Sequence, residues 1–169
     1  GTGCGVLAFM LAKSGFSQVL ATDNNPNSVE SVNRDLERLN RGYPIEVMQG
    51  DLLCYNARPA DLVVFNPPWI LGKTESQLDR ALYFEQGLFE RFFEQAVETL
   101  SPEGKIVMVF SNVIELMQPD VPHPIKAELE RDRLRLANLI QRKVKPKRDE
   151  NGRRRITKEK IEIWELALQ

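Results

Sequence analysis

Hydrophobic positions along the chain alternate between a helical period and short continuous runs, which predicts an α/β fold with a mainly parallel sheet. Residues 6–14 (VLAFMLAKS) read as a short, largely buried helix closed by Gly15. Residues 18–23 (QVLATD) read as an apolar strand that ends in an acid. Asn25 suits the cap of the following helix and Pro26 its first turn. Val29, Val32, Leu36 and Leu39 then recur at helical spacing and share one face, until Gly42 and Pro44 stop the helix. Residues 45–48 form a short strand that leads into Gly50 and Asp51.

Residues 60–65 (ADLVVF) are a continuous apolar strand of the kind buried on both faces, and they run into Asn66, Pro67, Pro68 and Trp69. The polar stretch 70–83 has no clear period and reads as a loop or lid. A helix over 84–100 turns Leu88, Phe89, Phe92, Phe93, Ala96 and Val97 inward. Ser101, Pro102, Glu103 and Gly104 carry turn chemistry before a buried strand at 105–110. Pro119, Pro122 and Pro124 mark an irregular stretch, followed by a helix over 125–131. Residues 133–144 and 160–168 read as two strands of an antiparallel hairpin, with Asn151-Gly152 favouring a tight turn between them. No repeat or linker composition interrupts the chain, so one domain is expected over 1–169.

Composition narrows this picture. The 169 residues are 42% hydrophobic and 28% charged, which excludes collagen-like, low-complexity and disordered chains. No apolar run reaches the roughly 18–20 residues of a membrane helix, and the opening residues show no signal-peptide pattern. Cys4 and Cys54 are too few for a disulfide framework or a cysteine zinc site, and both read as ordinary residues of a reducing cytoplasm. The net charge of −1 hides an asymmetry: residues 141–160 hold ten Lys/Arg against three Asp/Glu, a net of +7, which leaves the other 149 residues at −8. That basic segment is either a solvated hairpin tip or a contact for RNA or DNA phosphates.

Four positions carry candidate chemistry. Gly1, Thr2, Gly3, Cys4 and Gly5 open a helix, and glycines at alternate positions let a ligand approach the backbone. The dinucleotide fingerprint is not met, because Val6 stands where the spacing needs a glycine. Asp23 ends its strand 18 residues after Gly5, at the sheet edge where α/β folds bind ligands, and can accept hydrogen bonds from ribose hydroxyls. Asp51 follows the next strand and could accept from an exocyclic amine. Asn66-Pro67-Pro68-Trp69 is the most specific: two prolines force the chain out of the sheet, so the Asn amide and a proline carbonyl can take both hydrogens of a planar NH₂ while Trp69 stacks beside it. Such a clamp is catalysis by positioning. Tyr83, Phe84 and Trp164 read as core or helix-entry residues, and the sole histidine, His123, as incidental.

In this order the four motifs resemble the class I S-adenosylmethionine-dependent methyltransferases. The tetrapeptide is similar to the branch that methylates amino nitrogens: adenine and guanine amino-methyltransferases and release-factor glutamine methyltransferases. The resemblance spans nearly the whole chain. It implies a Rossmann-like three-layer sandwich with a seven-stranded sheet whose last strand is antiparallel. It also implies a strand with an acid ahead of the glycine loop; the chain starts at Gly1, so either a natural protein that continues upstream or an excised segment is expected. Carried over, Gly1, Thr2, Gly3, Cys4, Gly5, Asp23, Asn24, Asp51, Leu52 and Asn66 would bind S-adenosylmethionine, leaving S-adenosylhomocysteine as product. Asn66, Pro67, Pro68 and Trp69 would hold the acceptor amine, with no metal. The expected acceptor is a base in RNA, with a protein glutamine as the rival and a non-catalytic binding module as the competing class. A nicotinamide oxidoreductase is disfavoured by the glycine spacing.

Overall fold

A computed structural model of the chain describes residues 1–53, 59–76, 79, 82–145 and 158–169. Cys54, the Asn151-Gly152 turn and most of the basic segment lie outside the described residues. The chain forms two compact units, residues 1–59 and 60–169.

In the first unit, α1 (Val6–Lys13) precedes β1 (Val19–Asp23), α2 (Pro26–Leu39) and β2 (Ile45–Gln49). The strands pair in parallel, from Val19 opposite Ile45 to Asp23 opposite Gln49, so both end at one edge. Asn25 caps α2 as its sequence predicts: its side-chain oxygen accepts from the Asn27 amide at 3.0 Å, and Pro26 follows. The helix stops one turn before Pro44, where Asn40 adopts a left-handed conformation (φ 42°). Of the predicted apolar face, Val32 is fully buried and Leu39 is exposed. The expectation of a largely buried α1 is corrected. Only Ala8 is buried, packing with Val19 and Ala21, while Val6 and Met10 are more than half exposed. A helix that is apolar all round gives its sequence no means of choosing a face.

The second unit is built on a four-stranded sheet of order β3-β6-β8-β7. Its strands are β3 (Ala60–Phe65), β6 (Leu100–Ser111), β7 (Leu134–Lys143) and β8 (Lys160–Leu168). β3 and β6 are parallel and joined through α3 (Leu88–Thr99), while β8 runs antiparallel to both β6 and β7. The terminal antiparallel hairpin is thus as expected. Among the described residues these two sheets hold six strands and a third sheet pairs two short ones, where the resemblance implies seven strands in one sheet. Phe89, Phe92, Phe93 and Ala96 of α3 are buried, and Leu88 and Val97 are half-buried. Phe92 stacks on Phe65 with ring centroids 4.5 Å apart, and Phe89 meets Phe110 edge-on at 5.6 Å. These ring contacts bind α3 to the parallel pair.

Three further readings change. β3 is not buried on both faces, since Leu62 and Val64 are only half-buried. The predicted turn at 101–104 is an irregularity inside β6, where register jumps from Ala60–Leu100 to Leu62–Lys105. Gly104 is needed there because an added Cβ would lie 2.6 Å from the Ala60 carbonyl oxygen. The polar lid has structured ends: β4 (Ile70–Leu71) pairs in parallel with β5 (Tyr83–Phe84). The Gln118 side chain then closes on Leu71, accepting from its amide at 3.0 Å and donating to its carbonyl at 2.9 Å. Gln118 directly follows the short helix α4 (Val113–Met117), and α5 (Pro124–Leu129) comes next. No helix among the described residues is long and apolar enough to cross a membrane.

Candidate functional site

The first unit gathers its candidates at the carboxyl ends of β1 and β2. The glycine loop lies against β1 through the Gly1 and Thr2 nitrogens, each donating to the Thr22 carbonyl at 2.8 Å. Gly3 and Gly5 have positive φ, 55° and 77°, which side chains rarely adopt. Gly5 is also constrained from outside: an added Cβ would sit 2.8 Å from a methyl of Val32. Space around Gly3 is open.

Asp23 is buried, and both of its carboxylate oxygens accept backbone amides. Oδ2 takes Gly3 N at 2.8 Å and Oδ1 takes Asn25 N at 2.9 Å. The carboxylate therefore joins the glycine loop to the start of α2, and each oxygen keeps a further lone pair for a ligand. Thr22 had drawn no notice in the sequence. Its hydroxyl donates to the Leu52 carbonyl at 2.6 Å, and Gly50 N donates to the Asp23 carbonyl at 3.0 Å. These bonds hold the Asp51–Leu52 turn beside Asp23, with Leu52 buried at φ 55°. Cys4, Asn24 and Asp51 are exposed. All the candidates of this unit are therefore brought to one edge.

In the second unit, Asn66 leaves the carboxyl end of β3 with its side chain exposed and without a hydrogen-bond partner among the described residues. Pro67 is buried and Pro68 half-buried. The Trp69 indole N–H donates to the Val109 carbonyl at 3.3 Å, which fixes the ring to the end of β6 while leaving it half exposed. The turn is thus anchored just after an Asn amide that has no hydrogen-bond partner among the described residues. The end of β6 continues into Ser111 and Asn112. Asn112 fastens β8: its amide donates to the Lys160 carbonyl (3.3 Å), its Oδ1 accepts from Lys160 N (2.7 Å) and its Nδ2 donates to the Lys158 carbonyl (3.3 Å). Sequence reasoning passed over Asn112, although it follows its strand as Asn66 follows β3.

His123 is not incidental. It is buried, lies against Phe110 and Trp164 (centroids 4.9 and 5.4 Å), and caps α5, with Nδ1 accepting from Lys126 N at 3.4 Å. Its Nε2 sits 3.4 Å from Glu162, a buried carboxylate that accepts from the Trp164 indole at 3.0 Å and from Gln141 at 2.8 Å. Burial pushes the imidazole's pKa below its ordinary value of 6.5, a larger effect than the upward pull of Glu162. Strand alternation was the available signal, because it places Glu162 on the same face as Trp164 and Leu166. Among the described residues no group of His, Cys, Asp or Glu could hold a metal ion.

With this geometry in view, comparison with known proteins is informative. The model of the methyltransferase small domain family matches residues 1–121. The chain belongs to that family. The methyltransferase domain is 30% identical over 114 residues to a tRNA1(Val) (adenine(37)-N6)-methyltransferase of Tolumonas auensis, covering 64% of this chain and 48% of that protein. It is 31% identical over 121 residues to a ribosomal protein L11 methyltransferase of Heliobacterium modesticaldum, covering 72% of this chain and 32% of the relative. The chain thus spans about half, or less, of the curated relatives it matches. Among solved structures, the ribosomal protein L11 methylase of Lactobacillus delbrueckii subsp. bulgaricus superimposes with a TM-score of 0.65 at 20% identity, over all of this chain and 67% of that one. The α/β class I methyltransferase fold is therefore established, and it implies S-adenosylmethionine as methyl donor.

Proposed function

We propose that this chain is a single methyltransferase domain of a cytoplasmic enzyme that methylates a planar amino nitrogen, the exocyclic amine of a base in RNA. The carrying observation is the Asn66 turn: an exposed amide, unpaired among the described residues, followed by a buried proline and an indole fixed to Val109. Relatives that act on a tRNA adenine and the net charge of +7 over residues 141–160 support RNA as acceptor. A relative named for a ribosomal protein supports a protein amide as the second reading, since an amide and an exocyclic amine offer similar hydrogens.

S-adenosylmethionine would supply a methyl on a sulfonium, which departs as S-adenosylhomocysteine when the carbon–sulfur bond breaks. The first unit fits such a ligand. Gly3 offers approachable backbone, the Asp23 oxygens retain acceptor capacity for ribose hydroxyls, and the Asp51–Leu52 turn is fixed beside them. Gly1, Thr2, Cys4, Gly5 and Asn24 complete that edge. In the second unit, the Asn66 side-chain oxygen and a carbonyl of Pro67 or Pro68 would accept the amine's two hydrogens, turning its lone pair outward. Positive charge grows on the nitrogen as it bonds to carbon, and those oxygens stabilise it before its proton leaves to solvent. No side-chain base is required.

The test is methyl transfer from labelled donor to tRNA, DNA and protein acceptors by the full-length protein, with calorimetric titration of S-adenosylmethionine. RNA labelling that Asn66→Ala reduces by about 10²–10³-fold, with donor affinity unchanged, supports the reading. Labelling of protein alone overturns the RNA acceptor, and failure to bind the donor overturns the enzyme.

A further inference from the structure

We propose that the paired roots of β7 and β8 form a phosphate-binding rail for the RNA backbone that flanks the methylated base; this rests on the RNA reading above. The rail consists of Arg142 and Lys143 at the end of β7 with Lys145 just beyond it, and Lys160 at the start of β8 with Lys158 just before it. The first four are exposed and Lys160 is half-buried. Among the described residues none of the five is in an ion pair. The acid between them, Glu159, accepts a hydrogen bond from the buried Ser111 hydroxyl at 3.3 Å. A cationic ribbon of this kind suits a polyanion.

Its place in the sheet gives the ribbon its meaning. Phe65, the residue before Asn66, lies opposite Met108, and three residues further along β6 Ser111 lies opposite Ile161, which lies opposite Arg142. Three strand spacings and three residues of rise put Arg142 about 17 Å from the Asn66 turn, at the same edge of the same sheet. A single strand of RNA with its target base at Asn66 would bring phosphates only a few nucleotides away onto the ribbon.

Neighbouring Arg142 and Lys143 point to opposite faces of the strand. They therefore suit a backbone that crosses the sheet edge, whereas a peptide laid along one face would meet only alternate charges. Asn112 makes three hydrogen bonds to the backbone of residues 158 and 160, so that side of the root is already ordered and binding there costs side-chain entropy alone. Point charges on phosphates carry no sequence information, and the rail's part is to set register and orientation at the acceptor clamp.

Fluorescence anisotropy with a labelled tRNA transcript across a salt series tests the rail in the full-length protein. Arg142→Gln/Lys143→Gln/Lys145→Gln should make the slope of log K against log salt shallower by about 2–3 and weaken binding about tenfold or more near 0.1 M salt. Single-turnover methylation at saturating RNA should be retained, with the loss confined to KM. Lys158→Gln alone should flatten the slope by about 0.7–0.9. Unchanged slope and affinity in the triple variant, with RNA still methylated, overturn the rail and leave the RNA reading standing. A wild-type protein that binds no RNA and labels only protein overturns both.

Discussion

The glycine-loop edge of the first unit and the Asn66 turn of the second both lie at the carboxyl ends of parallel strands, yet they are held in opposite ways. In the first, the candidate ligand-binding groups hold one another. Asp23 spends both carboxylate oxygens on Gly3 and Asn25, and Thr22 spends its hydroxyl on Leu52. In the second, the support comes from groups other than the candidate amide: Pro67 is buried, Trp69 is tied to Val109, and Asn66 projects unpaired among the described residues. Where a residue both builds and binds, its loss damages fold and function together. Where building and binding are divided, the two can be separated by mutation.

That contrast can be broken experimentally. The largest effect belongs to Asn66→Ala, whose methyl transfer should fall by about 10²–10³-fold with an unchanged melting temperature, read by transfer assay and calorimetry on one preparation. A parallel loss of stability would show that Asn66 also builds. Asp23→Ala should do both kinds of harm. Two charge-assisted hydrogen bonds go, costing about 2–4 kcal/mol, and donor affinity falls with them, whereas Asp23→Asn should recover part of the stability. Denaturant midpoints with and without S-adenosylmethionine distinguish the two losses. Gly5→Ala forces a side chain into a left-handed conformation 2.8 Å from Val32, and about 1–3 kcal/mol of destabilisation is expected from urea unfolding.

Smaller effects sharpen the second unit. His123 has a lowered pKa because it is buried, so the unfolded chain takes up its proton before the folded one. Its contribution to stability is therefore fully present above about pH 6.5 and is lost as pH falls below that value. Urea midpoints between about pH 7.5 and pH 5.5 should fall on acidification, and His123→Asn, which retains a capping side chain, should flatten that dependence. Trp69→Phe keeps a ring but removes the bond to Val109. About 1 kcal/mol of stability should go, with methyl transfer reduced far less than in Asn66→Ala.

Much of this molecule is legible in local pattern. The helix at 26–39, its Asn25 cap, the parallel strands and the terminal hairpin follow from spacings within one element or its neighbours. The candidate sites are legible for a related reason: a sheet's carboxyl edge follows directly from where each strand ends, and Asp23, Asp51 and Asn66 stand at or just after such ends, while Gly3 was marked by its glycine spacing. Burial was less legible. An all-apolar α1 carries no information about which side meets the sheet. The turn chemistry at 101–104 became a β6 irregularity because the pairing with β3 resumes beyond it.

Propensity, capping and periodicity act over a few residues, and so local pattern sets the succession of elements and the residue types at the strand ends. Partnerships across the chain were decided by tertiary structure alone. Asp23 meets Gly3 across 20 residues, Gln118 reaches Leu71 across 47, and Asn112 joins Lys160 across 48. His123 acquires Glu162 and Trp164 only when β8 pairs with β6 and carries a buried carboxylate to the cap of α5. A hydrogen bond depends on distances of about 3 Å, and no local pattern fixes such a distance between residues dozens of positions apart.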